Sequence, residues 1–539
     1  MKQRLTWIMV VLTAAFSSMA PRLLAQNAPF AIDLEPVTIP QLGGLQAFAF
    51  GQHGGKWVVF GGRLDGLHRR QPWAAFDIGG HNTQVIVVDP VAGQRWTAAL
   101  SSLPTAMQEQ LSSTNMEFQQ VGEYLYIVGG YGYSATLGDH KTYDNLTAVH
   151  LPGLIQSVTS GGAIGSHFRQ VSHPDFAVTG GHLKTVNGVF FLVGGNKFDG
   201  RYNPMGNPTY TQIYTEQIRK FTIADNGFQL NITHLPSVTD ATNLHRRDYN
   251  VVPQIMPTGN EGLTAFSGVF QLNVDLPYLN CVNIDSNSHA VNSAFSQYYN
   301  HYHCPVIPLY SASMNEMHSV FFGGIAQYYD SAGTLVRDDN VPFVKTIARV
   351  TRNAAGIMTE YKLPVEMPDF LGASAEFIPL ESLPTYPNEV IQLDSLPQGR
   401  THIGYIYGGI ASPDPNIFWT NDGTQSHASA MIFKVYLNTN AVGVDDAINL
   451  HSNEALDFSL RPNPTHGKFS IGFALSEEGA VTMEIYDHRG RLVEQELRTY
   501  GKGEQSWEVG RLEEARSGVY YIKLKVDNRM VTQKLVVLE

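Results

Sequence analysis

The sequence predicts an all-β protein in which a six-bladed β-propeller is followed by a small antiparallel β-sandwich. Three observations lead to this fold class. Glycine supplies 50 of the 539 residues, aromatic residues 11% and charged residues only 16%, which is typical of short strands and tight turns. A motif of apolar residues followed by Gly-Gly recurs along most of the chain. Charged residues are sparse before residue 457 and become frequent after it.

The N-terminus predicts an export signal. Lys2 and Arg4 precede an apolar run over residues 7–16, and small residues follow, which is the order of a secretory signal peptide. We expect cleavage after Ala25, with Ala20 as the alternative, and therefore assign residues 1–25 to the signal peptide. No later run reaches the roughly 18 apolar residues of a spanning helix, so no transmembrane span is expected in the mature chain.

The apolar-Gly-Gly motif occurs five times, and a degenerate sixth copy ends in Ser-Gly. The copies are Val58–Gly62, Tyr126–Gly130, Phe191–Gly195, Ala265–Gly268, Val320–Gly324 and Tyr405–Gly409. They follow one another at broadly similar intervals, and such repetition indicates a repeat architecture. A hairpin signal upstream and two strand signals downstream give four strands per copy, which predicts a propeller blade.

The ends of this region predict how the ring closes. The last unit ends with a strand over residues 430–437 and lacks a fourth strand. The segment Ala31–Val37 resembles Thr359–Val365, the outer strand of the fifth unit. We therefore expect the N-terminal segment to complete the last blade. The predicted propeller covers residues 26–437, and a polar linker covers residues 438–456.

The repeats resemble the kelch repeat, which has the same apolar-Gly-Gly end, a downstream strand and an occasional tryptophan, here Trp96. The resemblance covers roughly residues 30–437. It implies a kelch-like propeller, but it implies no particular activity, because kelch propellers serve unrelated roles.

The length of the repeats predicts where a ligand binds. The interval averages about 69 residues, against ~50 for a kelch unit, and the surplus falls in loops that share one face of a propeller. We call this the long-loop face and expect binding there, because long loops in compact domains are usually functional. Its candidate ligand-binding residues are His68, Arg69, Arg201, Tyr202, His245, Arg246, Arg247, Tyr302 and His303.

These residue types predict a carboxylate or sugar ligand. Arginine forms paired hydrogen bonds with carboxylates, and aromatic faces stack on sugar rings. The alternative is that the cations solvate the loops or pair with acids such as Asp65, Asp139 and Asp248. The net charge of −12 argues against a nucleic-acid partner.

Catalysis has no support among the recognisable motifs, since no nucleophile elbow, zinc-protease motif or phosphate-binding loop is present. His301 and His303 lack a third ligand at a diagnostic spacing, so neither a metal nor another cofactor is expected. A carbohydrate-active enzyme (a sugar oxidase, lyase or epimerase) and a purely structural surface component remain the alternatives to a binding protein. Cys281 and Cys304 are candidates for a disulfide in an oxidising compartment, or for two buried thiols.

Residues 457–539 alternate strand and turn signals, which predicts a small antiparallel β-sandwich. Their pattern closely resembles the C-terminal sorting domain of cargo of the type IX (Por) secretion system. Arg461 departs from the family, which usually has an aromatic residue there. The matching residues are Pro462, Asn463, Pro464, Gly467, Tyr486, Asp487, Gly490, Gly518, Tyr520 and Lys534.

The resemblance implies a route out of the cell. It implies passage through the periplasm and across the outer membrane of a Gram-negative bacterium, with residues 457–539 contacting the outer-membrane secretion machinery. The sequence as a whole therefore predicts an exported protein, surface-attached or released, that binds an unknown glycan, peptide or protein partner.

Overall fold

The computed structural model describes residues 28–539 apart from residues 72, 204–208, 332–333, 440–445, 448–457, 476–477, 488–490, 511–516, 527–528 and 539. The predicted signal peptide, most of the predicted linker and the sorting-motif residue Gly490 lie outside the described residues. The chain divides into a first unit, Ala28–Asn449, and a second unit that contains Leu450–Glu539.

The fold is all-β, as the sequence predicts, and the described residues include two short helices, α1 (Thr105–Leu111) and α2 (Leu151–Ser160). Short 3₁₀ turns lie at Ile78–Gly80, Leu100–Ser102, Gly165–His167, Pro174–Phe176 and Leu393–Ser395. The strands of the first unit are β1 (Ala31–Val37), β2 (Ala49–His53), β3 (Lys56–Phe60), β4 (Gln84–Asp89), β5 (Gln94–Ala99), β6 (Glu117–Val121), β7 (Tyr124–Val128), β8 (Tyr131–Ser134), β9 (Asp139–Thr142), β10 (Asn145–His150), β11 (Phe168–Ser172), β12 (His182–Val186), β13 (Val189–Val193), β14 (Asn196–Gly200), β15 (Tyr210–Tyr214), β16 (Gln217–Asp225), β17 (Leu230–Thr239), β18 (Asn250–Ile255), β19 (Glu261–Phe266), β20 (Cys281–Ile284), β21 (His289–Asn292), β22 (Val306–Ser311), β23 (Glu316–Phe322), β24 (Tyr328–Ser331), β25 (Thr334–Arg337), β26 (Thr346–Arg352), β27 (Met358–Glu366), β28 (Ala375–Pro379), β29 (Ile391–Gln392), β30 (Arg400–Gly408), β31 (Ile410–Ala411), β32 (His427–Ala428), β33 (Ile432–Asn438) and β34 (Asp446–Ala447).

Six antiparallel sheets of the described first unit share one four-strand pattern, and each contains one copy of the glycine motif. In order along the chain they are β2-β3-β4-β5, β6-β7-β10-β11, β12-β13-β16-β17, β18-β19-β20-β21, β22-β23-β26-β27 and β28-β30-β33-β1. We call them sheets 1 to 6. The fifth sheet is extended at its edges by β29 and by β34, which comes from the predicted linker.

The N-terminal strand belongs to the last sheet. Strand β1 pairs antiparallel with β33, from Ala31 opposite Asn438 to Val37 opposite Ile432. This is the pairing expected from the likeness of Ala31–Val37 to an outer strand. The two ends of the first unit are therefore held together by a seven-residue ladder.

Four of the six loops that follow the glycine motifs contain hairpin strands. The hairpin β8-β9 of sheet 2 and the hairpin β14-β15 of sheet 3 join into one four-stranded sheet. Two further hairpins, β24-β25 and β31-β32, follow the motifs of sheets 5 and 6. Residues that these loops carry are therefore held by backbone pairing.

Each glycine motif ends the second strand of its sheet and bonds to the next sheet. The second glycine donates its N–H to a backbone carbonyl at N–O distances of 2.8–3.3 Å. The pairs are Gly62 to Ser113, Gly130 to Val178, Gly195 to Arg246, Gly268 to His301, Gly324 to Leu371 and Gly409 to Leu45. The last of these leads from sheet 6 back to the segment before sheet 1.

Steric constraints explain why the first residue of a pair is glycine. Gly129 has φ +65°, in the left-handed region that favours glycine. A Cβ there would collide with the carbonyl oxygen of Val178, which is the oxygen that accepts the N–H of Gly130. The contact between sheets therefore requires glycine.

A second set of backbone bonds closes on itself. It joins six residues, each shortly before the first strand of a sheet, through N–H···O bonds of 2.8–3.4 Å. Each residue donates to the next in the order Ala47, Ser374, His303, Asp248, Gly180, Asn115 and again Ala47. We call this cycle the backbone ring.

Apolar side chains fill the spaces between consecutive sheets. Between sheets 1 and 6, for example, Trp57 and Val59 share a buried cluster with Tyr405, Tyr407 and Ile432. Strand alternation directs these residues to the sheet faces, and burial of each large side chain contributes about 1.5–3 kcal/mol.

The second unit has its own core. Its strands are β35 (Phe458–Arg461), β36 (Phe469–Leu475), β37 (Gly479–Asp487), β38 (Leu492–Tyr500), β39 (Gly503–Val509), β40 (Gly518–Val526) and β41 (Arg529–Val537). They form the sheets β35-β36-β39 and β38-β37-β40-β41. Trp507, Ile471 and Ile522 lie fully buried in one shared apolar cluster.

The close approach at the glycine pairs is testable at Gly129. We expect Gly129→Ala to reduce the free energy of unfolding by more than about 3 kcal/mol, because the new methyl group collides with the next sheet. The matched control is Gly122→Ala in the turn between β6 and β7, where φ is +59° and nothing lies within 4 Å of the added Cβ. That change costs only the left-handed strain, about 1 kcal/mol. Equal losses in urea unfolding of the two variants would contradict the steric explanation.

Candidate functional site

A cavity of about 530 Å³ opens where the loops of the long-loop face converge. The residue directly after each glycine motif contributes to its wall, so all six sheets build it. These residues are Arg63, Tyr131, Asn196, Val269, Ile325 and Ile410. We call it the loop-face cavity.

Aromatic side chains dominate the wall of this cavity. Tyr131 donates its hydroxyl to the carbonyl of Gly200 and accepts the N–H of Tyr202, both at 2.8 Å. The ring of Tyr131 also meets that of Phe76 edge-on, with centroids 5.2 Å apart. The rings are therefore held in fixed orientations. The aromatic residues in the wall are Phe76, Tyr131, Phe198, Tyr202, Phe270, Tyr302, Phe418 and Trp419.

Two of the three arginines that line the cavity are paired with carboxylates. The guanidinium of Arg63 bonds to Asp65 through Nε at 2.7 Å and through Nη2. Arg247 donates from Nη1 to Asp248 at 2.6 Å. The third, Arg70, donates to the carbonyl of Trp419 at 2.7 Å and lies over the ring of Trp419 at 5.0 Å.

The histidine in the wall is uncharged at neutral pH. Burial lowers the pKa of His68 to about 4. Its ring stacks on Phe76 at 5.6 Å and meets Tyr202 edge-on at 5.1 Å. His68 therefore adds no positive charge to the wall, whose other charged residues besides the two pairs are Arg70, Asp275 and Asp339.

Four of the nine residues predicted from the sequence line the loop-face cavity. They are His68, Tyr202, Arg247 and Tyr302. The other five lie elsewhere.

Two of these five have partners of their own in the loops. Arg201 donates from Nε to the carbonyl of Ala75 at 2.9 Å. His245 lies 2.7 Å from Glu216 and stacks on Tyr214 at 3.6 Å.

The other three residues are structural or belong to another cavity. Arg246 is 1% exposed and donates from Nε to the carbonyl of Asn243 at 2.6 Å. Arg69 is exposed, and its side chain packs on Gly423. His303 pairs with Glu376 at 3.1 Å. A cationic residue in a loop therefore did not by itself indicate a position in the wall of the loop-face cavity.

The cavity-lining residues that were not predicted share a position in the repeat. They stand directly after a glycine motif or just before the first strand of a sheet. Their relation to the motif would have identified them, whereas their residue types vary. Examples are Gln46, Thr114, Thr179 and Asn196, all of which line the cavity.

A second cavity, of about 1070 Å³, lies against the first strands of the sheets. Asn115 and Asp248 line both cavities, so the two adjoin at the backbone ring. The second cavity is richer in ionisable groups, including Glu117 and the pair of His303 and Glu376. Burial raises the pKa of Glu117 to about 8, although it accepts the N–H of Gly181. This carboxyl group is therefore mostly protonated at neutral pH.

Of the two alternatives for the cysteines, the structure has the buried thiols and not the disulfide: Cys281 and Cys304 are both free and buried. Each sulfur has its own partner. That of Cys281 lies 3.7 Å from the sulfur of Met358, and that of Cys304 lies 3.7 Å from the amide nitrogen of Asn250. Burial raises the pKa of both thiols to about 12, so they stay protonated.

His301 is not available to a metal. It is fully buried, its Nε2 lies 2.8 Å from the carbonyl of Gln297, and its Nδ1 accepts the N–H of Gln327 at 3.0 Å. Across the described residues, one group of histidine and acid side chains has the spacing of metal ligands. It consists of His173, Asp175 and His234, and it lines neither cavity.

The sorting-motif residues organise the second unit. Asn463 donates its amide to the carbonyl of Lys534 at 2.7 Å and accepts the N–H of Val536 at 2.9 Å, which joins its loop to strand β41. Tyr486 donates to Glu484 at 2.8 Å. Asp487 accepts the N–H of Arg491 at 3.0 Å.

The remaining described motif residues occupy turns, strand ends or the core. Pro462 and Pro464 flank Asn463, Gly467 adopts φ +97°, Gly518 begins β40, and Tyr520 is buried in the shared core.

Comparison with known proteins identifies the second unit. Residues 459–538 match the secretion system C-terminal sorting domain. This confirms the sorting domain expected from the sequence. The chain is therefore exported by type IX secretion to the cell surface or released, and it contacts the secretion machinery on the way.

Other comparisons are more distant. The solved structure described as "Structure of YjhT" is similar, with 9% sequence identity and a TM-score of 0.40, over 75% of this chain and 99% of that chain. No curated protein matches the chain. Within the described ranges, no helix combines the length and apolar character needed to cross a membrane.

The free thiols are testable with a thiol reagent on the secreted full-length chain. We expect Cys281 and Cys304 to be unreactive in the native protein, because both are buried and protonated. After unfolding in guanidinium without reductant, we expect two reactive thiols per chain. No reactive thiol after unfolding would mean that the two cysteines are bridged.

Proposed function

We propose that the chain is an exported, six-bladed kelch-like β-propeller that binds a neutral glycan in the loop-face cavity. The observation that carries the ligand proposal is the wall of that cavity, in which eight aromatic residues lie beside two arginine–aspartate pairs. Export itself follows from the sorting domain.

Three features support the propeller. Six four-stranded sheets follow one another with the same order of strands, and the backbone ring returns to its starting residue, Ala47. The pairing of β1 with β33 gives the last sheet a strand from the N-terminus. Each of these is expected when blades surround one axis, because a ring has no unpaired end to protect.

The size and wall of the loop-face cavity favour a sugar ligand. Its volume of about 530 Å³ falls within the roughly 300–1,000 Å³ of small-molecule sites. Rings such as Tyr202 and Trp419 offer flat apolar faces, and the apolar faces of sugar rings stack on such surfaces. Gln46, Thr114 and Asn196 provide uncharged polar atoms in the same wall.

The paired arginines favour a neutral ligand over an acidic one. At two of the three arginines in the wall, a carboxylate would have to compete with an acid that is already bound, Asp65 at Arg63 and Asp248 at Arg247. Displacing either acid leaves a carboxylate without its cation, and unpaired charges are unfavourable in such surroundings. We therefore propose that the ligand is bound by stacking on aromatic rings and by hydrogen bonds to uncharged groups, and not by arginines that recognise an acid.

We also propose the division of the chain read from the sequence. Residues 1–25 form the signal peptide, residues 26–437 the propeller, residues 438–456 the linker and residues 457–539 the sorting domain. The rise in charged residues near 457 and the match over residues 459–538 support the last boundary.

The glycan proposal is testable at the rim of the cavity. Trp419 lines the cavity and its side chain is 64% exposed, so its removal should leave the fold intact. We expect Trp419→Ala to weaken binding of a neutral oligosaccharide about tenfold, which corresponds to ~1.4 kcal/mol. The measurement is titration of the secreted chain with a panel of neutral oligosaccharides and their uronic-acid counterparts.

The matched control for this titration is Trp73→Ala, because Trp73 is 74% exposed and lies outside the wall of the cavity. It should bind as the unmodified chain does. Mass spectrometry of the recovered oligosaccharides should show no turnover. Tighter binding of the acidic counterparts, or equal weakening by both tryptophan substitutions, would disprove the neutral-glycan proposal, and turnover would support the enzyme alternative.

The role of the sorting domain is testable by deletion. We expect the chain without residues 457–539 to accumulate in the periplasm, because the segment that the secretion machinery reads is missing. Cell fractionation and surface proteolysis measure the distribution. As a positive control, residues 438–539 fused to an unrelated periplasmic reporter should bring that reporter to the surface. Surface delivery of the truncated chain, with the reporter retained, would refute the assignment.

A further inference from the structure

Two histidines and an aspartate meet at the outer edges of sheets 2 and 3. His173 directly follows β11, and Asp175 lies in the 3₁₀ turn Pro174–Phe176. His234 lies in β17, the edge strand of the next sheet. One carboxylate oxygen of Asp175 lies 3.5 Å from Nδ1 of His173 and 3.3 Å from Nδ1 of His234. We call these three residues the seam cluster.

Two of the three separations in the seam cluster suit a tetrahedral metal site. Zinc binds imidazole nitrogen and carboxylate oxygen at roughly 2.0–2.2 Å, so two ligands on a tetrahedron are about 3.3–3.5 Å apart. The distances from Asp175 to the two histidines, 3.5 and 3.3 Å, lie in this range. The centroids of the two imidazole rings are 3.9 Å apart, so the rings would have to turn apart to bind one ion.

One hydrogen bond has to give way to the metal. The N–H of Asp175 donates to Nδ1 of His173 at 3.2 Å, so a bound ion would take the lone pair that this N–H now occupies. Imidazole binds a cation through such an unprotonated nitrogen.

The surroundings hold the ligands in place. Phe176 is 1% exposed, and its ring contacts those of His173 at 5.9 Å and His234 at 5.5 Å. Arg219 donates to the backbone carbonyl of Asp175 at 2.5 Å. The turn that carries two of the ligands is thus anchored to a buried side chain and to sheet 3.

We propose that the seam cluster binds one divalent transition-metal ion of the zinc class and joins the edges of sheets 2 and 3. Two nitrogen ligands select zinc, copper or nickel over calcium and magnesium, which prefer oxygen ligands only. The side chains of His173 and Asp175 are 43% and 45% exposed, so the fourth position is open to water. Because the cluster lines neither cavity, this proposal is independent of glycan binding.

Bound metal should stabilise the fold. His173 and Asp175 come from the end of sheet 2, whereas His234 comes from the edge of sheet 3. An ion that binds all three resists separation of these edges. Binding to the folded chain alone raises the apparent stability with metal concentration.

The test is calorimetric titration of the secreted full-length chain, produced without a histidine tag, with Zn²⁺. We expect one saturable site, weakened at least tenfold by His234→Ala and by Asp175→Asn. The matched control is His53→Ala, which removes a histidine from β2, outside the cluster, and should bind Zn²⁺ unchanged. Equal binding by the unmodified chain and both cluster variants would overturn the proposal, as would the lack of a saturable site.

Thermal unfolding provides a second measurement. We expect Zn²⁺ to raise the Tm of the unmodified chain and of His53→Ala, but not that of Asp175→Asn. Unfolding without metal shows whether each variant is folded, and Asp175→Asn keeps the volume of the side chain if His234→Ala does not fold. A Zn²⁺-induced rise of the same size in Asp175→Asn would place the metal elsewhere and refute the seam cluster.

Discussion

Backbone hydrogen bonds between neighbouring sheets are the constraint on which the first unit depends. At Gly129 they bring the carbonyl of Val178 so close to the strand end of the previous sheet that a Cβ would collide with it, whereas Ser267 takes the corresponding position in sheet 4. The second glycine of each motif donates to that carbonyl, and the backbone ring adds a cycle of bonds. Buried backbone groups need hydrogen-bond partners. These contacts therefore provide partners for the N–H groups at the strand ends, and they also set the distance between sheets.

This constraint also builds the candidate site. Because each sheet turns at its glycine motif towards the same face, the next residue of every repeat enters one wall, from Arg63 to Ile410. Four of the six loops that follow the motifs contain strands paired as hairpins. A ligand site assembled in this way is rigid, so little conformational entropy is lost when a ligand binds.

Charge pairing decides the chemistry of that site. From the sequence alone, Arg63 and Arg247 could each bind the carboxylate of a ligand. In the fold, Arg63 forms an ion pair with Asp65 and Arg247 forms one with Asp248. Paired charges contribute orientation and hydrogen bonds rather than net attraction, which shifts the proposed ligand from an acid to a neutral sugar. The seam cluster differs, because its single carboxylate faces two imidazoles and has an open side.

Local patterns in the sequence determined the all-β class, the repeat, the pairing of β1 with the last sheet and the sorting domain, because each depends on residues close together in the chain or on an ordered motif. Four of nine candidate residues were found in the cavity, since loop position was predictable but side-chain partners were not. Tertiary structure alone decided that Cys281 and Cys304 stay apart and that Arg246 is buried. It also brought His234 of sheet 3 to Asp175, which lies in the 3₁₀ turn after β11 of sheet 2. Contacts between different sheets depend on how the sheets pack, and this packing cannot be predicted from the spacing of residues within one segment.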